Sequence, residues 1–311
     1  MDTITHGLIG ILGSKTGFSQ RNGRFAAIAF LIGAIFPDID LVVSFFGPEF
    51  SLRYHRGITH SIVAAPFFAI FITAAIYRFA SFKKFFLLSV IVALGIYSHI
   101  FFDLITSYGT VIFDPISLKR YSWNLVFILD PFITIPVILG LILCWKRSDR
   151  ALMISVSIFT FLVVYLMMNL CVRLLYEEKL ARFAATSSIA VKRSTVYPRP
   201  LAPFFWMGVI ETEDAYYRVN LATFSPDISV FDRFAKEEEN HFINSAKNLE
   251  VSSLFYWFAD YPVVEYENLN SEHVVIIHDL RFDVIPMKNP FILKIIFKDD
   301  GSLKDVSLNG R

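Results

Sequence analysis

The stretch ALMISVSIFTFLVVYLMMNLCV, residues 151–172, contains no charged side chain. A helix needs roughly 20 predominantly apolar residues to cross the hydrocarbon core of a bilayer, so this stretch predicts a membrane-spanning helix. The chain before it is similarly apolar, and its charged residues cluster between apolar runs. Further spans are predicted at 3–18, 25–36 with a break at Pro37, 62–77, 85–102 and 125–145.

The overall composition supports a membrane protein and excludes several other classes. Hydrophobic residues make up 55% of the chain and charged residues 18%, against about 45–50% and about 25% in ordinary soluble domains. The net charge of +1 gives no basic surface, so no nucleic-acid partner is expected. Because the chain has only two cysteines, Cys144 and Cys171, any metal ion must be held by histidine and carboxylate side chains.

The distribution of lysine and arginine predicts the orientation of six spans, because cytoplasmic loops carry an excess of these residues. One set of junctions between spans holds nine cations and the other holds four, so the nine-cation side is expected to face the cytoplasm. The first set comprises Lys15, Arg21, Arg24, Arg78, Lys83, Lys84, Lys146, Arg147 and Arg150, and the second comprises Arg53, Arg56, Lys119 and Arg120. The N-terminus and everything after about residue 172 then lie outside.

Beyond residue 172 the pattern becomes that of a soluble domain. Two hairpins are expected, at 204–220 and 294–308, with a buried strand at 274–277. Residues 232–248, with their KEEEN charge run, predict one solvated helix. The predicted fold is a polytopic α-helical membrane bundle of about five to six spans at 1–172, a linker at 173–203 and an extracytoplasmic α+β domain at 204–311. The predicted location is the cell (inner) membrane.

Ionisable residues in the membrane half are costly and therefore suggest function. They form four clusters: Asp2 with His6, Asp38 with Asp40, His55 with His60, and His99 with Asp103. The carboxylates of Asp38 and Asp40 are expected to point the same way from an extended segment after the helix break. Taken singly, a cluster is better explained as a helix cap or an interfacial polar group. The orientation derived from lysine and arginine, however, predicts that all four clusters lie at the outer membrane face. The count of lysine and arginine makes no use of acids or histidines, so the two observations are independent. This convergence predicts a single site.

Imidazole nitrogens and carboxylate oxygens suit Zn²⁺ or a similar divalent cation. The eight side chains suffice for two metal ions, or at most three, with zinc expected first and manganese as the other candidate. Two adjacent ions activate water and clamp both oxygens of an in-line displacement, which suits hydrolysis of a phosphoester. Because the site would lie at headgroup depth, membrane lipids are the expected partners, and a lipid or lipid-linked phosphoester is the expected substrate.

Other polar residues near these clusters have two interpretations each. Arg56 is the candidate catalytic residue if it clamps a phosphate with two hydrogen bonds, but it equally fits the cation distribution or a lipid headgroup contact. Asp130 is a metal ligand or, as we favour, a polar link between helices. Four hydroxyls beside the ligands either hydrogen-bond to them or are ordinary helix-end groups; they belong to Thr5, Thr59, Ser61 and Thr106.

Four motifs, MDTITHG, FPDID, HRGITHS and HIFFDLITSYGT, resemble in this order the YdjM-type family of bacterial membrane proteins, which are regarded as metal-dependent hydrolases. The resemblance covers residues 1 to about 170. The family is in turn distantly similar to zinc-dependent phospholipase C, a helical enzyme whose zinc ions are held by His and Asp, including an H-x-x-x-D pair that His99 and Asp103 match. Those enzymes also use the amine of an N-terminal Trp as a ligand. This chain begins Met1-Asp2, so the resemblance does not imply a third ion.

Two functional classes follow from these patterns. The first is a metal-dependent hydrolase that uses metal-activated water. The second is a non-catalytic metal-binding scaffold or a transporter. A transport pathway would require polar groups that continue toward the cytoplasmic half of the spans. The third and fourth spans lack acids and histidines there, which argues against transport.

We expect a reporter that is active only in the cytoplasm to stay silent when it is fused after Arg311. The reason is the nine-to-four asymmetry of cations, which places the C-terminal domain outside. Alkaline phosphatase, which requires an oxidising compartment, should be active at the same position. Strong activity of the cytoplasmic reporter would reverse the orientation.

Overall fold

The computed structural model describes residues 1–80, 83–223, 229–269, 272–283 and 289–308. The chain forms two compact units. The first comprises Met1–Val42, Tyr54–Cys171 and Pro200–Pro203, and the second comprises Val43–Arg53, Val172–Arg199 and Phe204–Arg311.

Helices build the first unit and extend into the second. In chain order they are α1 (Thr3–Ser14), α2 (Phe18–Asn22), α3 (Arg24–Ile35), α4 (Pro48–Tyr54), α5 (Ala65–Tyr77), α6 (Phe85–Leu104), α7 (Pro131–Lys146), α8 (Ala151–Thr186), α9 (His241–Lys247) and α10 (Glu250–Phe258). Short 3-10 segments lie at Phe36–Phe46, Ile58–His60, Ser148–Arg150 and Leu280–Phe282.

Three helical segments among the described residues are long and apolar enough to cross a membrane: Arg24–Phe46, Phe85–Leu104 and Ser148–Thr186. A fourth span is obtained if Pro48–His60 and Ala65–Tyr77 together form one broken span. α1 and α7 are apolar but shorter, with 12 and 16 residues. Three to four spans are therefore supported, and the predicted five to six stay a prediction that depends on α1 and α7.

The break at the end of α3 shapes the region that carries two of the candidate ligands. Pro37 has no N–H and opposes a continued α-helix. α3 accordingly ends at Ile35, and the chain continues as a 3-10 helix over Phe36–Phe46. The predicted break is confirmed. The expectation of an extended segment around Asp38 and Asp40 is wrong, because a proline in a first turn is compatible with helical backbone and the chain stays helical after it.

Glycines set the closest approach between α3 and α6. A Cβ atom at Gly33 of α3 would lie 2.2 Å from the carbonyl oxygen of Val92, and one at Gly95 of α6 would lie 2.5 Å from the carbonyl oxygen of Phe30. The two helices therefore touch backbone to backbone, as small residues allow in membrane proteins. This contact holds α6 beside the end of α3, which leads directly into Asp38.

The second unit contains two antiparallel four-stranded sheets, each a meander in chain order. The first consists of β1 (Arg193–Pro198), β2 (Phe205–Glu211), β3 (Ala215–Ala222) and β4 (Ser229–Ala235), and the second of β5 (Pro262–Leu269), β6 (Glu272–Asp279), β7 (Ile292–Lys298) and β8 (Leu303–Leu308). The predicted hairpins are confirmed as β2–β3 and β7–β8, and the predicted buried strand is part of β6.

Two expectations for this region are wrong. Residues 232–248 do not form one helix, since β4 runs to Ala235 and α9 begins only at His241. Backbone pairing with β3 outweighs any helical preference of this segment. The predicted linker at 173–203 is also not a linker. α8 continues to Thr186, and β1, with its buried Val196 and Tyr197, pairs with β2.

We expect Gly95→Ala to lower the free energy of unfolding by about 1–3 kcal/mol, because the added methyl group meets backbone atoms that cannot move aside. Gly7→Ala is the matched control, since its Cβ would meet only side-chain atoms of Leu31 and Ile35 at 3.4 Å. Unfolding midpoints of both variants in detergent measure the difference. Equal midpoints would contradict the backbone contact between α3 and α6.

Candidate metal centre

Four side chains from three parts of the first unit meet at one buried point. They are Asp38 after α3, His60 on the turn Ile58–His60, and His99 and Asp103 on α6. One ligand atom of each lies within 4.8 Å of all the others, and all four residues are buried. His99 and Asp103 project together because residues four apart share one face of a helix.

The hydrogen bonds around the two imidazoles fix their tautomers. Nδ1 of His99 lies 2.7 Å from the carbonyl oxygen of Ala34, which can only accept, so this nitrogen carries the proton. Nδ1 of His60 lies 3.1 Å from a carboxylate oxygen of Asp40 and 3.1 Å from the hydroxyl of Thr59, which donates its own hydrogen to that carboxylate. Both Nε2 atoms therefore keep their lone pairs, as metal-binding histidines do.

The separations that involve the two imidazole Nε2 atoms are close to those around a tetrahedral metal ion. The two Nε2 atoms lie 3.1 Å apart. Nε2 of His60 lies 3.1 Å from Oδ2 of Asp103 and 3.8 Å from Oδ1 of Asp38, and Nε2 of His99 lies 3.4 Å from each of these oxygens. Four ligands at zinc-binding distance in a tetrahedron are about 3.4 Å from one another. The donor set therefore fits one divalent ion.

The carboxylate of Asp103 has two different surroundings. Its Oδ1 atom lies 2.8 Å from Nη2 of Arg56 and 3.1 Å from Nε2 of His6, and it also pairs with the amino group of Met1. Its Oδ2 atom is buried and accepts no hydrogen bond from the described residues. A buried carboxylate oxygen without a donor is costly, and this one faces two imidazole lone pairs. A cation at this point would remove the repulsion.

A second group of candidate ligands adjoins the first. It shares Asp38 and adds Asp40 and His55, again with one ligand atom of each within 4.8 Å. Oδ1 of Asp40 lies 2.8 Å from Nδ1 of His55, and Oδ2 accepts from the backbone N–H of Arg56 at 2.9 Å. The side chain of His55 is 14% exposed, whereas that of His60 is fully buried. The second group therefore lies on the more accessible side of the cluster.

All predicted ligands except Asp2 lie in or against these two groups. His6 stacks on His99 with ring centroids 3.6 Å apart, and its Nε2 atom faces Asp103. Asp2 instead caps α1, and its carboxylate accepts from the N–H of Thr5 at 2.9 Å and from the Thr5 hydroxyl at 2.7 Å. For Asp2 the structure supports the helix-cap interpretation.

Arg56 contacts the site from the inside. It is 2% exposed, and its backbone adopts the left-handed region at φ 62°. The guanidinium donates to the hydroxyl of Thr106 at 3.1 Å in addition to pairing with Asp103. In this position Arg56 orients a candidate ligand, and clamping a phosphate would require it to leave that carboxylate.

Asp130 links helices, as the sequence analysis favoured. Its carboxylate accepts from the hydroxyl of Tyr165 on α8 at 2.7 Å and from the N–H of Phe132 at 2.9 Å. The Tyr165 hydroxyl also contacts the carbonyl oxygen of Ala202 at 2.9 Å. The aspartate therefore caps α7 and ties it to α8.

Sequence reasoning missed two groups that hold the site. The carbonyl of Ala34 lies in the last turn of α3, where carbonyls lack helical partners. Pro37, three residues later, has no N–H to offer it, and this was the available signal. The second group is the ring of Tyr108, which lies 4.6 Å from the guanidinium carbon of Arg56. Tyr108 is part of the motif HIFFDLITSYGT, but the motif alone gave it no role, because the contact with Arg56 depends on the fold.

Two histidines of the second unit, His273 and His278, lie outside both ligand groups and each faces a carboxylate. Nε2 of His273 lies 3.2 Å from Asp299, and Nδ1 of His278 lies 3.6 Å from Asp283. Burial lowers the pKa of His278, but the carboxylates of Asp283 and Glu265 outweigh it, so the net shift of the pKa is upward. A neighbouring carboxylate therefore accounts for the position of both histidines.

Comparisons with known proteins bear on the first unit most directly. A family model described as YdjM inner membrane protein matches residues 1–172. A protein of Bacillus subtilis (strain 168) described as uncharacterized protein YfhP is 33% identical over 187 residues, and the match covers 58% of this chain and 57% of that protein. The chain therefore spans little more than half the length of this relative. No solved structure matches.

We expect the double variant His99→Ala, Asp103→Ala to lose its bound metal, because it removes two of the four converging ligands. The helical bundle should persist, since the apolar surfaces that hold it are unchanged, and circular dichroism checks this. Elemental analysis of detergent-purified protein after equilibration with zinc or manganese measures the loss.

The control for this experiment is His273→Ala, which removes a buried histidine outside both ligand groups. It should leave the metal content unchanged. If the double variant binds as much metal as the parent protein, His99 and Asp103 are not ligands.

Proposed function

The chain belongs to the YdjM inner membrane protein family, and from this premise we propose that it is a membrane-bound metal-dependent hydrolase. The substrate is a phosphoester of a lipid or lipid-linked molecule, and cleavage takes place at the outer membrane face. The observation that carries the proposal is the convergence of two imidazole lone pairs and two carboxylates at one buried point.

The donor set supports zinc as the ion. Nitrogen and oxygen ligands in a tetrahedron are typical of zinc, whereas manganese prefers more oxygen ligands in an octahedron. Asp38 belongs to both ligand groups, so its carboxylate would be shared if both groups held an ion. We propose two ions, one held by Asp38, His60, His99 and Asp103 and the other by Asp38, Asp40 and His55. When bound, such ions lower the pKa of water and stabilise negative charge on a phosphoryl group.

The residues around the ligands keep them in position. The carboxylate of Asp40 lies against the Nδ1–H group of His60, which keeps the Nε2 lone pair of His60 directed at the site. Arg56 and His6 hold Oδ1 of Asp103, so that Oδ2 remains for the ion. Because these positioning groups are buried, the ligands have little freedom to reorganise, which is what catalysis by fixed charges requires.

The outer-face location rests on the cation distribution. The nine-cation side defines the cytoplasm, and all the ligand-bearing segments then end or begin at the opposite face. A site at that depth meets lipid headgroups, and a phosphoester there is within reach of the accessible side marked by His55. In this proposal the second unit lies outside the cytoplasm.

A second candidate function is a metal-binding scaffold without catalysis. The observation that favours it is that the first group already offers four protein ligands, which is typical of closed structural zinc sites. Catalytic sites keep an open position, and in this chain only the group of Asp38, Asp40 and His55, with three protein ligands, leaves one among the described residues. The two functions therefore differ in the role of His55.

The test is hydrolysis of a phosphomonoester, a phosphodiester and fluorescent phospholipids by zinc-loaded protein in lipid nanodiscs. We expect activity on at least one phosphoester, and we expect His55→Ala to lower it at least about tenfold while the ion at His60 and His99 is retained. Glu238→Gln, a change at the exposed charge run, is the control. Bound zinc without any phosphoester hydrolysis would favour the scaffold.

A further inference from the structure

An apolar cavity of about 480 Å³ lies in the first unit, bordered by α1, α6 and α8. Its lining residues fall between Leu94 and Phe102 on α6 and between Phe159 and Leu166 on α8, and on both helices they follow the three- and four-residue spacing of one helix face. Residues at this spacing form one stripe along a helix. The cavity therefore runs lengthwise along the helices, over about 12 Å of α6.

The lining of the cavity offers almost no polar group to an occupant. The hydroxyls of Ser98 and Thr16 each donate, at 2.7 Å, to a carbonyl oxygen three residues earlier in the chain. The hydroxyl of Tyr97 lies 3.3 Å from the carbonyl oxygen of Ile62. The other lining residues are aliphatic, aromatic or glycine. Because a buried polar group without a partner is costly, this lining favours an occupant that has no hydrogen-bonding groups.

The surroundings of the cavity supply such an occupant. α6 and α8 belong to segments that are long and apolar enough to cross a membrane. Two lining residues, Leu94 on α6 and Val163 on α8, are 38% and 60% exposed, so the cavity is open at these side chains. Leu94 lies near the middle of α6, and Val163 lies near the middle of the charge-free stretch 151–172. In a bilayer, both positions meet the acyl chains of lipids.

One end of the cavity lies beside the candidate metal centre. Ile9 of the lining follows His6 by three residues on α1, and Phe102 of the lining directly precedes Asp103 on α6. His6 itself faces Asp103, with Nε2 and Oδ1 3.1 Å apart. Along α1 the lining continues away from His6, and along α6 it continues away from Asp103. The cavity therefore starts at the level of the ligands and extends from there along the spans.

We propose that this cavity holds one acyl chain of the lipid substrate, with the phosphoester at the level of the candidate ligands. One leaflet contributes about 15 Å to a hydrocarbon core of about 30 Å, so a cavity of about 12 Å takes most of one chain. A chain that moves from the bilayer into the cavity gains little hydrophobic free energy, because lipid tails are equally apolar. The cavity therefore acts by positioning the substrate. The inference rests on the proposed function, because it names the part of the lipid that this site recognises.

Photocrosslinking tests the cavity without requiring turnover. The probe is phosphatidate that carries a diazirine on one acyl chain, in nanodiscs that each hold one zinc-loaded chain, so that a second copy cannot fill the cavity. Peptide mass spectrometry should locate the crosslinks on the lining stripes of α6 and α8. Val163→Trp, which places a larger side chain in the lining, should lose most of these crosslinks. Leu94→Trp makes the same change from α6 and should have the same effect.

Val164→Trp is the matched control. This neighbouring valine is 63% exposed, close to the 60% of Val163, but it is not part of the lining. Its substitution should leave the crosslinks unchanged. Equal zinc content and equal unfolding midpoints establish that the variants are folded. Crosslinks that persist in Val163→Trp and Leu94→Trp, or that spread evenly over the exposed surface of α8, overturn the inference.

A second probe tests whether the chain in the cavity belongs to a phosphate-bearing lipid. It is diacylglycerol with the same diazirine, which lacks the phosphate group. Phosphatidate should crosslink to the lining more strongly than diacylglycerol, because bound zinc attracts its phosphate. The difference should vanish in the double variant His99→Ala, Asp103→Ala. Equal crosslinking of both lipids in the zinc-loaded parent protein overturns the assignment of this chain to the substrate.

Failure of the acyl-chain site and failure of the proposed function remain distinguishable. Crosslinks that depend on both the cavity and the metal ligands, without any hydrolysis, contradict the hydrolase and support the acyl-chain site. Hydrolysis of phosphatidate that proceeds with unchanged KM in Val163→Trp supports the hydrolase and contradicts the acyl-chain site.

Discussion

The constraint on which the site depends is electrostatic. Two imidazole nitrogens with lone pairs and two carboxylates share a space in which their ligand atoms lie within 4.8 Å of one another, inside an apolar helical unit. Repulsion between such groups is strong where water does not screen it. A divalent cation satisfies all four atoms at once, and the tautomers of His60 and His99 leave the lone pairs directed at it.

The helical packing serves this arrangement. Gly33 and Gly95 let α3 and α6 touch backbone to backbone, which brings the turn after α3 to the face of α6 that carries His99 and Asp103. α3 ends at Ile35, and Pro37 immediately precedes Asp38 on the 3-10 helix that follows. The carbonyl oxygen of Ala34, in the last turn of α3, accepts a hydrogen bond from the Nδ1–H group of His99. The feature that breaks the helix therefore also orients a ligand.

Much of the site was predictable because ionisable metal ligands are easily recognised among apolar residues. Carboxylates and imidazoles are conspicuous among charge-free runs, and the H-x-x-x-D spacing places His99 and Asp103 on one helical face without knowledge of the fold. The sequence could not show which polar side chain caps a helix and which one faces the candidate metal site. Asp2 and Asp38 look alike in the chain, yet one caps α1 and the other faces two histidines.

In the second unit, the predictions failed where local sequence does not determine the structure. The hairpins were predicted from alternation of apolar and polar residues around clear turns. The charge run before α9 and the prolines around β1 did not suggest strands, because β1 and β4 are stabilised by pairing with neighbouring strands. Arg56 illustrates the same point in the membrane half, because its burial against Asp103 depends on chain segments far apart in sequence. Tertiary pairing of this kind has no local signature.

X-ray absorption at the zinc edge of the purified protein is the most direct test of the central claim. The account predicts two zinc ions per chain whose inner shells contain only nitrogen and oxygen at about 2.0–2.2 Å, with the outer-shell scattering of imidazole. A shell that contains sulfur from Cys144 or Cys171, or protein that takes up no ion at all, would contradict it.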